Sequence, residues 1–248
     1  KKAKLIEAFR NFLERISATT DDTATQTWVG NTLMDLADAS MKPNQIKADG
    51  QAAKLLKTAV ETFERLKARA GEEVPAEVNF QLGKAHRLLG SYKNSIDTFE
   101  ALLSKTPMML DAQMEAALAY EHWARDVDPK YAGNAFKAAL NGGRPNAKKE
   151  NVIWGWGRTS QLTQRDPKYR AKFFEARYHV ALCRFLWGQR TKSKPLIEKS
   201  VVDIMRVADL YPELGGPEQR RKFDALLKTI QKELKQQPVG LPPLPAGN

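Results

Sequence analysis

The sequence holds one cysteine, Cys183, in 248 residues, so no internal disulfide framework braces it and stability has to come from packing. It has no run of about 18 uninterrupted apolar residues, which excludes a membrane-spanning helix. It also lacks a phosphate-binding loop, a nucleophile elbow, a zinc signature and a dinucleotide fingerprint. Nothing positive therefore points to an enzyme, and no catalytic residue, metal or cofactor is expected. The chain opens at Lys1 with neither a methionine nor the apolar core of a secretory signal, as a processed product or a piece of a longer protein would. A soluble protein is expected, with its compartment (cytoplasmic or exported) and its oligomeric state left open.

What the sequence does have is 42% hydrophobic residues in helical spacing. Between residues 78 and 107, Val78, Leu82, Ala85 and Leu89 recur at helical steps, and Tyr92, Ile96, Phe99 and Leu103 repeat the pattern after Gly90. Gly90 suits the left-handed turn that closes a helix, and Pro107 disfavours the α conformation at Thr106. The spacing predicts a helical hairpin. Gly83, in the middle of its first helix, lets the second approach closely, against a propensity loss of about 1 kcal/mol relative to Ala.

The pattern recurs. Ala116-Ala117, Tyr120, Ala132, Phe136, Ala139 and Pro145 make a second copy, with three extra residues assigned to the turn around RDVDP. Near the C-terminus, Val180-Ala181 follows Leu82-Gly83 by 98 residues, whereas Ser200, Ile204, Val207 and Pro212 follow their counterparts by 105. That seven-residue difference is assigned to a longer turn or a longer second helix, about two helical turns that leave the packing face unchanged. Further helices are predicted over 4–16, 25–39 and 45–70, the last carrying Ala59, Phe63 and Leu66 as in an atypical repeat with a long polar connection. One more is predicted over 146–165 around NVIWGWG, another after Pro167, and a last one opening at GGPEQ with the stripe Phe223, Leu226, Ile230 and Leu234. The tail QQPVGLPPLPAGN reads as extended and solvated, a linker or a docking peptide.

With Leu82-Gly83, Phe99 and Pro107 in place, and Asn79, His86 and Ser95 departing from the consensus, the stretch resembles the tetratricopeptide repeat. The resemblance implies an all-α fold, a TPR-like helical-hairpin solenoid forming a right-handed superhelix of about five helix pairs. Residues 1–75 would be atypical N-terminal helices, 76–145 two clear repeats, 146–236 divergent repeats with a C-terminal capping helix, and 237–248 the Pro-rich tail. It further implies a non-enzymatic scaffold that holds a protein or peptide segment, acidic in one version, in a concave groove lined by the first helices. Groove positions would be Phe80, Lys84, Arg87, Met114, Glu115, Leu118 and Glu121, followed by Tyr178, Leu182 and Phe185. Packing between neighbouring repeats is the competing role for some of them. Some family members clamp a C-terminal carboxylate with Lys and Asn, and Phe80 and Glu115 stand where that clamp would want those residues. A different ligand is implied.

Charge supplies a second candidate. Residues 144–194 hold 13 Lys or Arg against 3 Asp or Glu, nearly the whole excess behind the net charge of +11. Arg144, Lys148, Lys149, Arg158, Arg165, Lys168, Arg170 and Lys172 are interleaved with Trp154, Trp156, Tyr169, Phe173 and Phe174. Such a stretch could bind phosphates and stack on nucleic-acid bases, dock an acidic protein or an anionic membrane surface, or be a solvated face with its rings turned inward. His179 and Cys183, four apart, are two donors and not a metal site. His86 and His122 are read as buried packing, and Asp128 before Pro129 as a helix cap rather than a metal ligand.

Overall fold

The computed structural model describes residues 2–244, and it is helical apart from one short β-hairpin. The helices are α1 (Lys2–Thr19), α2 (Thr23–Asp38), α3 (Gly50–Ala70), α4 (Ala76–Leu88), α5 (Tyr92–Lys105), α6 (Leu110–Asp126), α7 (Pro129–Asn141), α8 (Gly155–Thr163), α9 (Arg170–Thr191), α10 (Lys194–Leu210) and α11 (Pro217–Glu233). Single turns of 3-10 helix sit at Gly71–Glu73 and Pro167–Tyr169. The chain divides into two compact units, the first ending at His122 and the second beginning at Trp123, so the division falls inside α6.

In the first unit α2 packs on α3 and α4 on α5, with α3 against α4 joining the two hairpins. Each hairpin crosses at a glycine. A Cβ on Gly83 would lie 2.7 Å from Phe99 Cζ, and one on Gly30 would collide with the Phe63 ring. Both rings are fully buried, each contributing about 1.5–3 kcal/mol of apolar burial. Ser95 donates its hydroxyl to the Gly83 carbonyl at 2.8 Å, a second tie across the same crossing. Gly90 takes the left-handed conformation at φ 76° and ends the first arm. The connection over 39–49 is not loose: the Ala48 N–H donates to Leu88 O at 2.8 Å and Ala48 joins the core of Leu33, Leu55, Phe63 and Leu82.

In the second unit α9 packs on α10 with α8 and α7 against α9, and α11 closes on α9 and α10. Its core gathers Phe173, Phe174, Ile204, Leu214, Phe223 and Ile230.

Four expectations are corrected. Residues 146–153 are not helical: Gly143–Pro145 pairs antiparallel with Asn151–Ile153, and α8 starts only at Gly155. Asn146 builds a turn in place of the helix by accepting the N–H groups of Lys148 at 2.9 Å and Glu150 at 3.0 Å, with Lys149 at φ 61°. The three extra residues of the second copy lengthen α6, which runs to Asp126, so that only residues 127–128 separate it from α7. The seven-residue difference is shared between the two helices: α9 runs on to Thr191, and α10, with 17 residues against 14 in α5, begins earlier, as a longer second helix would, while the turn between them is not lengthened. Helix continues because LWGQRT offers no breaker until Lys192 turns left-handed at φ 53°. The predicted helix over 45–70 starts at Gly50.

The tail is docked and not solvated over residues 240–242. Gly240 N–H donates to Gln231 Oε1 at 2.9 Å, Leu241 N–H to Asp224 Oδ1 at 2.8 Å, and Arg220 to Pro242 O. Residues 245–248 of the tail lie outside the described residues. Burial works to raise the Asp224 pKa, yet hydrogen bonds from Lys228 and Leu241 and the charges of Lys228 and Arg220 hold it below the usual carboxylate value.

Two outcomes follow. Gly83→Val should cost about 1–3 kcal/mol in urea unfolding through overpacking against Phe99, and a second change, Phe99→Leu, should give part of it back. Asp224→Asn should free the tail, speeding proteolytic cleavage after residue 237 with α11 intact. Acid should act in the same direction, since the docked tail favours the carboxylate and docking is lost as pH falls through its lowered pKa.

Candidate interaction surfaces

The first helices of the two hairpins, α2 and α4, are neighbours in the first unit, so residues on their outward stripes meet. On α2 that stripe is Trp28, Asn31, Asp35 and Asp38, at helical steps of three and four. On α4 the row that faces it is Phe80 and Lys84, both half-buried, followed by the buried Arg87. Lys84 Nζ lies 3.1 Å from Asp38 Oδ2, and Arg87 Nε donates to Glu115 Oε2 on α6 at 2.7 Å. Arg87 Nη1 also lies 3.4 Å from His122 Nδ1. The expected groove residues Lys84, Arg87 and Glu115 are thus brought together, but as interhelical ion pairs and not as free ligand contacts.

Others are placed differently from the exposed wall expected of them. Arg87, Met114 and Glu121 are buried, Glu121 completely. Phe80 is half-buried with its ring edge-on to Phe99 at 6.3 Å. Tyr178, Leu182 and Phe185 belong to the core of the second unit, where α11 covers α9 and Tyr178 meets Phe223 edge-on at 5.5 Å. Helix α11 occupies the face they would have lined. What remains outward on α2 and α4 is headed by Trp28, 50% exposed, with Asp35 and Asp38 beside it. Trp28 was legible as a helix residue but not as a surface one.

In the basic region charges and rings separate. Lys148, Lys149, Arg158, Arg165, Lys168 and Arg170 are exposed, Arg144 and Lys172 partly so. Trp154, Trp156, Phe173 and Phe174 are buried, and Trp156 stacks on His179 at 4.4 Å between ring centres. Cations cap the rings from outside: Arg158 lies 5.0 Å from the Trp154 ring and Arg170 5.4 Å from that of Tyr211. Stacking on nucleic-acid bases is not available to rings so placed. Cys183 is buried. Asp128 caps α7 by accepting the Lys130 N–H at 3.0 Å, and among the described residues no three His, Cys, Asp or Glu side chains are grouped as a metal site requires. No helix among them is long and apolar enough to cross a membrane.

A scan against protein-family models finds no match, and a search of curated proteins finds none.

His86 does have an acidic partner, one that spacing within its own hairpin did not reveal. Glu64 of α3 sits 3.7 Å from its Nε2. Burial, the larger effect, lowers the His86 pKa below the ordinary value; Glu64 opposes this and Lys67 adds to it. The neutral ring is therefore favoured in the folded protein. Its stabilising share is present above the unfolded pKa of about 6.5 and is lost as pH falls to the lower folded value. Stability of the first unit should decline across that window, and His86→Gln should flatten the decline, as urea titrations at a series of pH values would report.

Proposed function

We propose that the protein is a non-enzymatic scaffold of the tetratricopeptide repeat type, which binds a protein segment across the first helices of its hairpins in the first unit. The observation that carries this reading is the repeated crossing. Gly30 on Phe63 and Gly83 on Phe99 join two hairpins in the same way, and their first helices lie adjacent with an ion pair, Lys84 to Asp38, between them. A face fixed by such contacts is preformed, so a ligand bears most of the ordering cost of binding. Trp28 offers the large amphipathic contact that anchors segments, and Asp35 and Asp38 set a polar margin.

The test is affinity capture of the partner from the native source. Trp28→Ala with Phe80→Ala should reduce capture at least about tenfold, as loss of an anchor residue does, with far-UV dichroism unchanged. Capture undiminished by the pair would contradict the reading.

A second reading is favoured by one observation, the exposure of Lys148, Lys149, Arg158, Arg165, Lys168 and Arg170 on the second unit. These cations suit phosphate contacts on a polyanion without base readout. Binding to single-stranded nucleic acid should then weaken steeply with salt, and Lys148→Glu, Lys149→Glu, Lys168→Glu and Arg170→Glu together should flatten that slope. Absence of binding at low salt would remove this reading.

A further inference from the structure

A cavity of about 240 Å³ opens between α8, α9 and α10 of the second unit. Two guanidinium groups, Arg177 of α9 and Arg206 of α10, line it together. Arg177 Nε is buried and has no hydrogen-bond partner. Burial, the leading cause, pushes the Arg177 pKa below the ordinary arginine value, and the charges of Arg184 and Arg206 add to the shift. Asp203 offsets this, but its carboxylate is bridged to Arg184. Arg177 Nε itself is sealed from the cavity, but an arginine stays protonated in such a place, so the cavity keeps a cationic wall of two arginines with no carboxylate among its lining residues.

The rest of the lining says what an occupant would look like. Phe173, Val207 and Leu210 give an apolar side, and Gln164, which donates to the Tyr211 hydroxyl at 3.3 Å, gives a polar margin. Pockets for drug-sized ligands run to roughly 300–1,000 Å³, so this one suits a smaller body, a single ring or branched chain. We infer that the cavity between α8, α9 and α10 is an anion-binding pocket for a carboxylate carried on a compact apolar group. The planar guanidinium fork matches a carboxylate in geometry, and the apolar side rewards a body that inorganic phosphate lacks. The site is independent of the segment-binding face in the first unit.

Calorimetric titration with phenylacetate, phenylacetamide and inorganic phosphate tests it. Phenylacetate should bind at least about tenfold more tightly than the other two, the scale of one charge-assisted hydrogen bond. Arg177→Gln and Arg206→Gln should each weaken phenylacetate by at least about the same factor. Lys148→Gln, on the exposed turn, should leave it unchanged. Should either Gln variant fail to fold, Arg177→Lys keeps the charge and should still prefer the acid to the amide. A second arm adds a short peptide with Glu beside Phe. Competition with phenylacetate assigns the pocket to protein segments, and binding of phenylacetate without competition assigns it to a free small acid; the pocket stands in either case. Equal binding of acid and amide, phosphate binding as well as phenylacetate, or a folded Arg177→Gln that binds like the parent would overturn the inference.

Discussion

A phenylalanine ring laid against a glycine of the facing helix is the contact on which the first unit depends. Without a Cβ at Gly83 or Gly30, the backbones of α4 and α2 accept the rings of Phe99 and Phe63 directly. The loss of helix propensity at each glycine, about 1 kcal/mol, is outweighed by complete burial of an aromatic side chain. Geometry follows from that choice. Once the ring sits over the glycine, the rotation of each first helix about its own axis is set, and so are the residues it turns outward. The bond from the Ser95 hydroxyl to the Gly83 carbonyl holds the same crossing through a polar contact.

Charge then ties neighbouring helices at the surface. Lys84 with Asp38 and Arg87 with Glu115 link α4 to α2 on one side and to α6 on the other. The first pair is half in solvent and contributes little by itself; the second is nearly buried, and removing one partner would leave the other's charge stranded. In the second unit an arginine performs a related task on backbone, with Arg190 donating to the carbonyls of Arg125 and Val127 where α6 ends and its chain turns. These pairings explain why a row of charged residues at groove spacing is a poor guide to ligand contacts: several are already engaged with one another.

Legibility in the sequence tracked the distance between partners. The α4/α5 hairpin was readable because Gly83, Gly90, Phe99 and Pro107 sit within one short stretch and each has a local geometric job. Gly30 was not, since its ring partner lies on the far side of the 39–49 connection. The lengths of α6 and α9 were misjudged because an insertion inside a helix leaves the flanking pattern intact and carries no breaker to mark it. The stretch around NVIWGWG was read as one helix from 146, while Pro145 and Asn146, at the hairpin turn, spoke only through turn chemistry. Burial of Tyr178, Leu182 and Phe185 needed the position of α11, which no spacing supplies. Arg177 and Arg206 belong to different helices, and only the fold puts them on one cavity.

The central claim is that the outward stripe of α2 and α4 receives a protein segment. Site-specific photo-crosslinking measures this directly, with the reactive side chain placed at position 28 and, as a control, at the exposed position 131. The account predicts adducts from position 28 that map to one contiguous segment of one protein, with few from 131. Adducts equally abundant from 131, or none from 28 while a partner is bound, would contradict it.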